Sequence, residues 1–279
     1  MKPRTLLSAL VFAAGLALPC VAPAQAPVQG QAVIPVSNAP LQVKLPRPVV
    51  ATLPNGLTVL MLENHRLPTI TLYLEIRGAG GFDEPAGQPG LANFTAQMMS
   101  LGTATRTSTQ IADQAASLGA FINVGAGYGL RTAVLSASGL SNNFPQWFAL
   151  ATDILLHPSF PAEEWTKLRQ QAEVGLRQQR TNPGFLAKER FDLAVYGSFP
   201  AAVDTTTVEA LGAMTPAAFA AWHAQRYVPQ NAVLAIAGDI EPQALLAWLR
   251  TALGGWQRSD SAVGAPGMPT APSGRRVFL

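Results

Sequence analysis

Two hydrophobic periodicities alternate along the chain and predict its secondary structure. Short apolar runs bounded by turn residues predict strands, which lie at 57–62, 70–76, 121–124, 131–137 and 232–239. Apolar positions spaced three or four residues apart predict helices, which lie at 91–101, 109–118, 142–156, 162–180, 184–196, 215–225 and 242–253. Strands and helices come in blocks rather than in strict alternation. This order predicts an α+β fold, in which helices cover one face of a largely antiparallel sheet.

The amino-terminal segment has the pattern of an export signal. Lys2 and Arg4 precede an apolar run at 6–18 that is too short to span a bilayer, and an Ala-Pro-Ala sequence ends at Ala24. We predict that residues 1–24 are a signal peptide and that the mature protein is periplasmic or secreted. A lipoprotein anchor at Cys20 is the alternative.

The remaining chain divides by composition into four parts. Residues 25–50 carry five prolines and predict an extended leader that runs into the first strand. Residues 51–256 hold all the periodic segments and predict one folded domain. The Ser, Gly and Pro of 257–274 predict a linker, and 275–279 is interpreted as the start of a truncated second domain.

Charge and cysteine content exclude several classes of function. Cys20 is the only cysteine and would leave with the signal peptide, so the mature chain has no thiol for a disulfide or for redox chemistry. Cleavage also removes two of 19 basic residues and none of 16 acidic ones, so the net charge falls from +3 to +1. We therefore predict no nucleic-acid partner. No later apolar run approaches the length of a spanning helix, so no stable membrane insertion is expected after cleavage.

Short motifs in a fixed order give the chain a family resemblance over about residues 50–256. They are Leu53–Leu57, Gly90–Ala92, Gly102–Thr103 with Arg106–Ser108, Leu118–Ala120, Pro158–Phe160, Leu193–Gly197, Tyr227–Asn231 and Ala237–Asp239. Together they resemble the N-terminal domain of the insulinase/pitrilysin peptidases, the inverzincins of the H-x-x-E-H signature. The resemblance implies an insulinase-like peptidase domain, whose active members bind zinc.

The pentapeptide that matches this signature lacks the two His ligands and the Glu general base. In active members two His at i and i+4 are zinc ligands on one helical face, and the Glu before the second activates water. Here Asn93 and Gln97 occupy the ligand positions and Ala96 the position of the general base. A carboxamide is a weak ligand for zinc, and a methyl group cannot transfer a proton. We therefore predict no catalytic residue, no metal ligand and no cofactor in this chain.

The third zinc ligand of the family is a Glu on the later long helix. Two residues of this chain are candidates for the matching position. Counting back from Asn182 and Pro183 places Gly175 at that position, whereas a slip of two residues places Glu173 there. One Glu without the two His would not make a site.

Other candidate residues have ordinary structural interpretations. His65, His157 and His223 lie in a strand turn, a helix end and a surface-type helix, and none is within four residues of another, which favours surface or capping roles. Glu163 and Glu164 suit the first turn of a helix. There is no G-x-S-x-G nucleophile motif. Four tryptophans at helical spacings are predicted in the core: Trp147, Trp165, Trp222 and Trp248.

One segment is a candidate for peptide binding. The glycine-rich turn 125–129 and the strand Arg131–Ala137 correspond, by the resemblance, to a sheet edge with which peptides pair. An ordinary hairpin is the alternative interpretation.

These observations lead to one main hypothesis and two alternatives. We expect an exported, non-catalytic insulinase-family homologue whose partners are an active zinc peptidase subunit and unfolded peptide. The first alternative is an active zinc metalloendopeptidase with misaligned ligands, which predicts that His65, His157 or His223 converge with carboxylates. The second is a truncated remnant without a function of its own.

Overall fold

A six-stranded sheet forms the centre of the computed structural model, which describes residues 46–259, 263–265 and 267–270. The strands are β1 (Val49–Thr52), β2 (Thr58–Glu63), β3 (Thr69–Arg77), β4 (Phe121–Ala126), β5 (Thr132–Leu140) and β6 (Ala232–Gly238). The predictions of a signal peptide at 1–24 and of a second domain at 275–279 lie outside the described residues, as do residues 25–45 of the leader.

Eight α-helices accompany the sheet in the described part of the chain. They are α1 (Leu91–Met99), α2 (Ser108–Ser117), α3 (Phe144–Leu156), α4 (Ala162–Gln179), α5 (Pro183–Tyr196), α6 (Val208–Ala213), α7 (Pro216–Arg226) and α8 (Pro242–Ala252). Several begin where the sequence offers a cap. Thr107 and Gln110 form a reciprocal capping box at α2, and the Asn182 side chain accepts two backbone N–H bonds ahead of Pro183 at α5.

The sheet has one buried face, as the alternating sequence pattern requires. In β3 the odd and even positions separate cleanly, so Ile70, Leu72, Leu74 and Ile76 are buried while Tyr73 is about half exposed. Leu74 lies between Leu135 of β5 and Leu234 of β6, which makes a continuous apolar layer across the three strands. The prediction of helices on one face of a largely antiparallel sheet is confirmed.

The order of the strands is β1-β2-β6-β3-β5-β4. The last strand in sequence, β6, lies between β2 and β3, and its pairing with β2 is the parallel one. Strand β4 lies at one edge and β1 at the other.

The helices bury three of the four tryptophans predicted in the core, because Trp147, Trp165 and Trp222 are each 5% exposed or less. Trp248 is partly buried against the core, with its ring 4.8 Å from that of Phe148.

Two elements differ from the sequence prediction. Strand β1 begins at Val49, so the leader predicted for 25–50 ends inside a strand, where Val50 pairs with Leu60. Helix α6 was not predicted because it has only six residues, too few for a helical period to show. Its start is marked by Thr207, whose side chain accepts the Ala210 N–H. No helix in the described ranges is long and apolar enough to cross a membrane.

Candidate functional site

Helix α1 carries the pentapeptide that matches the zinc signature, and it is packed on almost every side. Leu91, Phe94, Met98 and Met99 are buried in the core, whereas Asn93 and Gln97 are only partly buried. The two amides are four residues apart and therefore share one face of the helix. This is the face that opens to solvent.

The two amides are bonded to each other and to the sheet. The Gln97 Nε2 donates to Asn93 Oδ1 at 2.7 Å, and the Asn93 Nδ2 donates to the Ala126 carbonyl of β4, also at 2.7 Å. The two positions that carry zinc ligands in the family signature are thus joined in a hydrogen-bond relay that ties α1 to the edge strand.

Ala96 stands between them at the position of the general base, and its side chain is fully buried. Its neighbour Thr95 is also buried, and the Thr95 hydroxyl donates to the Leu91 carbonyl at 2.7 Å within the helix. Neither side chain offers a free proton acceptor to the solvent-facing side of α1.

Two adjoining cavities lie between α1 and α4, and we call them together the α1–α4 cleft. One, of about 290 Å³, is lined by Asn93, Gln97 and Tyr128 together with residues of α4. The other, of about 330 Å³, extends to Asn123 and Val124 of β4 and to Glu164. Both are bordered by three shared residues, Gln97, Leu168 and Gln171. The cleft therefore runs from the relay to the edge of the sheet.

Of the two candidates for the third ligand position, the structure places one at the cleft. Gly175 lines the same cavity as Asn93 and Gln97, and the space where its Cβ would be is open. Glu173 lines neither cavity and lies 3.9 Å from Arg169 in an ion pair along α4. Asn93, Gln97 and Gly175 are thus brought together, without a carboxylate among them.

This donor set does not fit zinc. The Asn93 Oδ1 already accepts the Gln97 N–H, and a carboxamide oxygen is a poor substitute for imidazole or thiolate. Within the ranges that the structure describes, no group of three or more His, Cys, Asp or Glu side chains is arranged to hold a metal ion.

The three histidines are engaged elsewhere. His65 places its ring nitrogens 2.7 Å from Asp239 and from Glu63, and these two hydrogen bonds, Asp239 first, raise its pKa. His157 lies at the end of α3, 3.3 Å from Asp153. None of the three lines the α1–α4 cleft.

His223, predicted to have a surface or capping role, caps the end of α3. Its side chain is partly buried, its ring stacks on Tyr227 and lies 2.8 Å from the Leu155 carbonyl in the last turn of α3, and burial lowers its pKa. His223 thus joins α7 to the end of α3 as a structural group.

The structure also adds a residue that sequence reasoning missed, Glu84. Its carboxylate accepts the N–H of Gly90 at 2.9 Å and of Ala92 at 2.6 Å, at the start of α1. Burial raises the pKa of Glu84 to about 7, against the opposing effect of these two bonds. Because Glu84 lies six residues before Gly90, it falls outside the positions where a local capping pattern is sought.

Tyr128 of the glycine-rich turn is a partly buried neighbour of Glu84. Burial first, and the nearby charge of Glu84 second, raise the pKa of Tyr128 to about 12.

Gly90 itself has a φ of 99°, and a Cβ there would lie 3.0 Å from that of Thr206, so glycine suits this helix start. The start of α1 is therefore held by contacts distant in sequence.

The sheet edge predicted for peptide binding needs correction. All of the predicted strand Arg131–Ala137 except Arg131 belongs to β5, which lies between β3 and β4 and is paired on both sides. Within the described residues, the strand at this edge of the sheet is β4, which pairs only with β5. Since Asn123 and Val124 of β4 line the cleft, the edge and the cleft are continuous.

Comparison with known families agrees with this architecture. Residues 58–199, about half of the chain, match the family described as insulinase (peptidase family M16), and residues 213–279 match the peptidase M16 inactive domain. The chain therefore belongs to the insulinase family. Strand β6, from the second match, is inserted between β2 and β3 of the first, so both matches contribute to one sheet.

Relatives in this family are named as zinc proteases. An uncharacterized zinc protease of Rickettsia bellii is 27% identical over 198 residues, which cover 71% of this chain and 47% of that protein. One of Mycobacterium leprae is 25% identical over 206 residues, which cover 73% and 45%. The chain thus spans about half the length of the curated relatives it matches.

Solved structures share the fold. A peptidase M16 inactive domain from Pseudomonas fluorescens superposes with a TM-score of 0.74 at 27% identity, covering 80% of this chain and 54% of that one. The periplasmic protease PqqL of Escherichia coli gives a TM-score of 0.71 at 19% identity, covering 82% and 26%. The second likeness is one of fold alone.

Proposed function

We propose that this chain is an exported, non-catalytic insulinase-family subunit that pairs with an active zinc peptidase of the same family and binds unfolded peptide along β4. The observation that carries the proposal is the relay on α1, in which Asn93 and Gln97 are bonded to each other and to the sheet. A helix used in this way has no free ligand set for a metal and no base for water.

Peptide binding is supported by the position of β4. An edge strand leaves the backbone N–H and C=O groups of alternate residues without a strand partner, and an extended peptide can pair with them. The adjoining cleft gives such a peptide room for its side chains beside Asn123 and Gln97. Peptide binding of this kind requires no metal.

A partner role is supported by the extent of the match to the relatives. The zinc proteases that resemble this chain are about twice as long as the matched region, and the match at 213–279 is to a domain described as inactive. An active subunit would supply the zinc that the α1–α4 cleft does not fit. Export is supported by the amino-terminal sequence pattern.

The test measures metal and activity on the isolated chain and looks for the partner in a second preparation. The chain expressed alone is purified under native conditions, its zinc is measured by mass spectrometry, and cleavage of an unfolded casein substrate is followed with and without a chelator. In the second preparation the native protein is isolated from its own cells and the proteins that co-purify are identified. We expect substoichiometric zinc and no chelator-sensitive cleavage for the isolated chain, and co-purification from cells of a subunit that has an intact H-x-x-E-H motif. Stoichiometric zinc with cleavage that the chelator abolishes would show an active metallopeptidase instead.

A further inference from the structure

The orientation of both cleft amides is determined by the main chain. The Ala126 carbonyl can only accept a hydrogen bond, so the Asn93 group 2.7 Å from it must be the NH₂. The Asn93 oxygen then faces Gln97 and requires a donor, which places the Gln97 NH₂ at that contact. The oxygen of Gln97 is left outside the relay.

The relay leaves Gln97 with one acceptor and one donor to offer. A primary carboxamide has two N–H donors and two acceptor positions on its oxygen, and the contact with Asn93 uses one donor. What remains, an oxygen and an N–H, is complementary to the N–H and C=O of one residue in an extended peptide, because these two groups point to the same side of a strand. Gln97 lines both cavities of the cleft, so this pair borders the path beside β4.

The rest of the cleft gives no preference for a charged ligand. Among the described residues that line it, the charged side chains are Glu164 and Lys167, and they are paired with each other at 3.0 Å. Gln171 and Asn123 add further neutral amides. A ligand carboxylate would therefore lose its hydration without meeting an unpaired cation.

The geometry points to Gln97 as a backbone clamp: its carboxamide binds the N–H and C=O of one residue in an internal segment of an unfolded chain, and the cleft discriminates against a free C-terminal carboxylate. This inference rests on the proposed function and names its substrate class and the residue that recognises it. Recognition through a backbone group also makes binding tolerant of side-chain sequence, as a partner of unfolded chains requires.

Fluorescence anisotropy with a labelled peptide of about ten residues tests the clamp. The probe contains Ala, Ser, Thr and Leu, and its two ends are acetylated and amidated. A second peptide has the same sequence but ends in a free C-terminal carboxylate. The variant is Gln97→Met, which keeps the length of the side chain and removes both hydrogen-bonding groups. The matched control is Gln146→Met, at an exposed position on α3 away from the cleft.

We expect Gln97→Met to weaken binding of the capped probe about tenfold, the effect of losing two neutral hydrogen bonds, and the control to leave it unchanged. The free carboxylate is expected to bind more weakly than the capped probe. Equal affinities for the wild type and Gln97→Met, or tighter binding of the free carboxylate, would overturn the clamp. So would failure of the wild type to bind the capped probe.

Two further measurements separate the clamp from folding and from the proposed function. In the wild-type protein, the side-chain NH₂ resonance of Gln97 is expected to shift when the probe is added, and an unchanged resonance at saturation counts against the clamp. A probe that is N-methylated at alternate residues cannot pair with β4. If N-methylation abolishes binding while Gln97→Met does not, the proposed function stands and the clamp is wrong.

Discussion

Gln97 donates a hydrogen bond to Asn93 one turn earlier in α1, and Asn93 in turn donates a hydrogen bond to the main-chain carbonyl of Ala126 in β4. The relay occupies the face on which the active members of this family place two imidazoles. The amides at these positions join helix α1 to the sheet.

Removing the relay is expected to destabilise the fold. Asn93→Leu leaves the Ala126 carbonyl and the Gln97 amide without their partner, at a site that is partly buried. We expect the free energy of unfolding to fall by about 1 to 2 kcal/mol, measured by urea denaturation. The control Gln146→Leu, on the exposed side of α3, is expected to change it by less than about 0.5 kcal/mol. Equal effects of the two substitutions would show that the relay has no net stabilising role.

Restoring the family ligands is expected to create zinc binding. The variant combines Asn93→His, Gln97→His and Gly175→Glu, because these three positions line one cavity. We expect stoichiometric zinc by mass spectrometry and a rise in melting temperature when zinc is added, since a metal that binds the folded state stabilises it. Omitting Gly175→Glu should weaken zinc binding. No gain of metal by the triple variant would mean that the cavity does not have the geometry of a zinc site.

Introducing a glutamate at the position that matches the general base is expected to destabilise the fold. Ala96 is fully buried, so Ala96→Glu in the otherwise native chain places a carboxylate among apolar side chains without a partner. We expect a loss of about 3 kcal/mol or more in the free energy of unfolding at neutral pH. The loss should be smaller at acidic pH, where the glutamic acid is neutral. The exposed substitution Ala149→Glu on α3 is the control, and it should be nearly neutral.

Glu84 predicts a pH dependence of stability. Its pKa in the folded chain is raised from the ordinary 4.5 to about 7, so the folded state binds the proton more tightly than the unfolded state. The resulting stability is fully present below the ordinary pKa and is lost as pH rises through about 7. The loss is on the order of 3 kcal/mol at most.

The control for this prediction is Glu84→Gln, whose side-chain oxygen can still accept the N–H groups of Gly90 and Ala92. Urea denaturation at a series of pH values should show this fall in the wild type and a flatter profile in the variant. Parallel profiles would assign the pH dependence to other groups.

His65 is expected to titrate above its ordinary pKa. Both ring nitrogens face carboxylates at 2.7 Å, and both can donate only when the imidazole is protonated. Its stabilising effect is therefore present below the ordinary pKa of 6.5 and is lost as pH rises through the raised value. Proton NMR titration of the ring should show a larger drop in pKa for Asp239→Asn than for Glu63→Gln, since Asp239 makes the larger contribution. An ordinary pKa for His65 in the wild type would contradict its two contacts with Glu63 and Asp239.

Much of the fold could be predicted because the spacing of apolar residues along the chain indicates which side chains are buried. The alternation in Ile70–Ile76 identifies a strand with one buried face, and the spacing of Leu91, Phe94 and Met98 identifies a buried helix. Short elements escaped this reasoning, as α6 did, because a helix of six residues contains less than two periods. The edge was misassigned because strand order depends on pairing between distant segments, and no local signal predicts that β6 enters between β2 and β3.

By itself the sequence determined the class of fold, the family resemblance and the absence of imidazole and carboxylate at positions 93, 96 and 97, because these depend on residue identity and spacing alone. Only the tertiary structure decided what the amides do in place of zinc ligands, that Gly175 and not Glu173 lines their cavity, and that Glu84 holds the start of α1. Residue spacing alone does not settle these relationships, whether the partners are one helical turn apart or on different helices, because a hydrogen bond or a shared cavity exists only once folding has brought its members within a few ångströms.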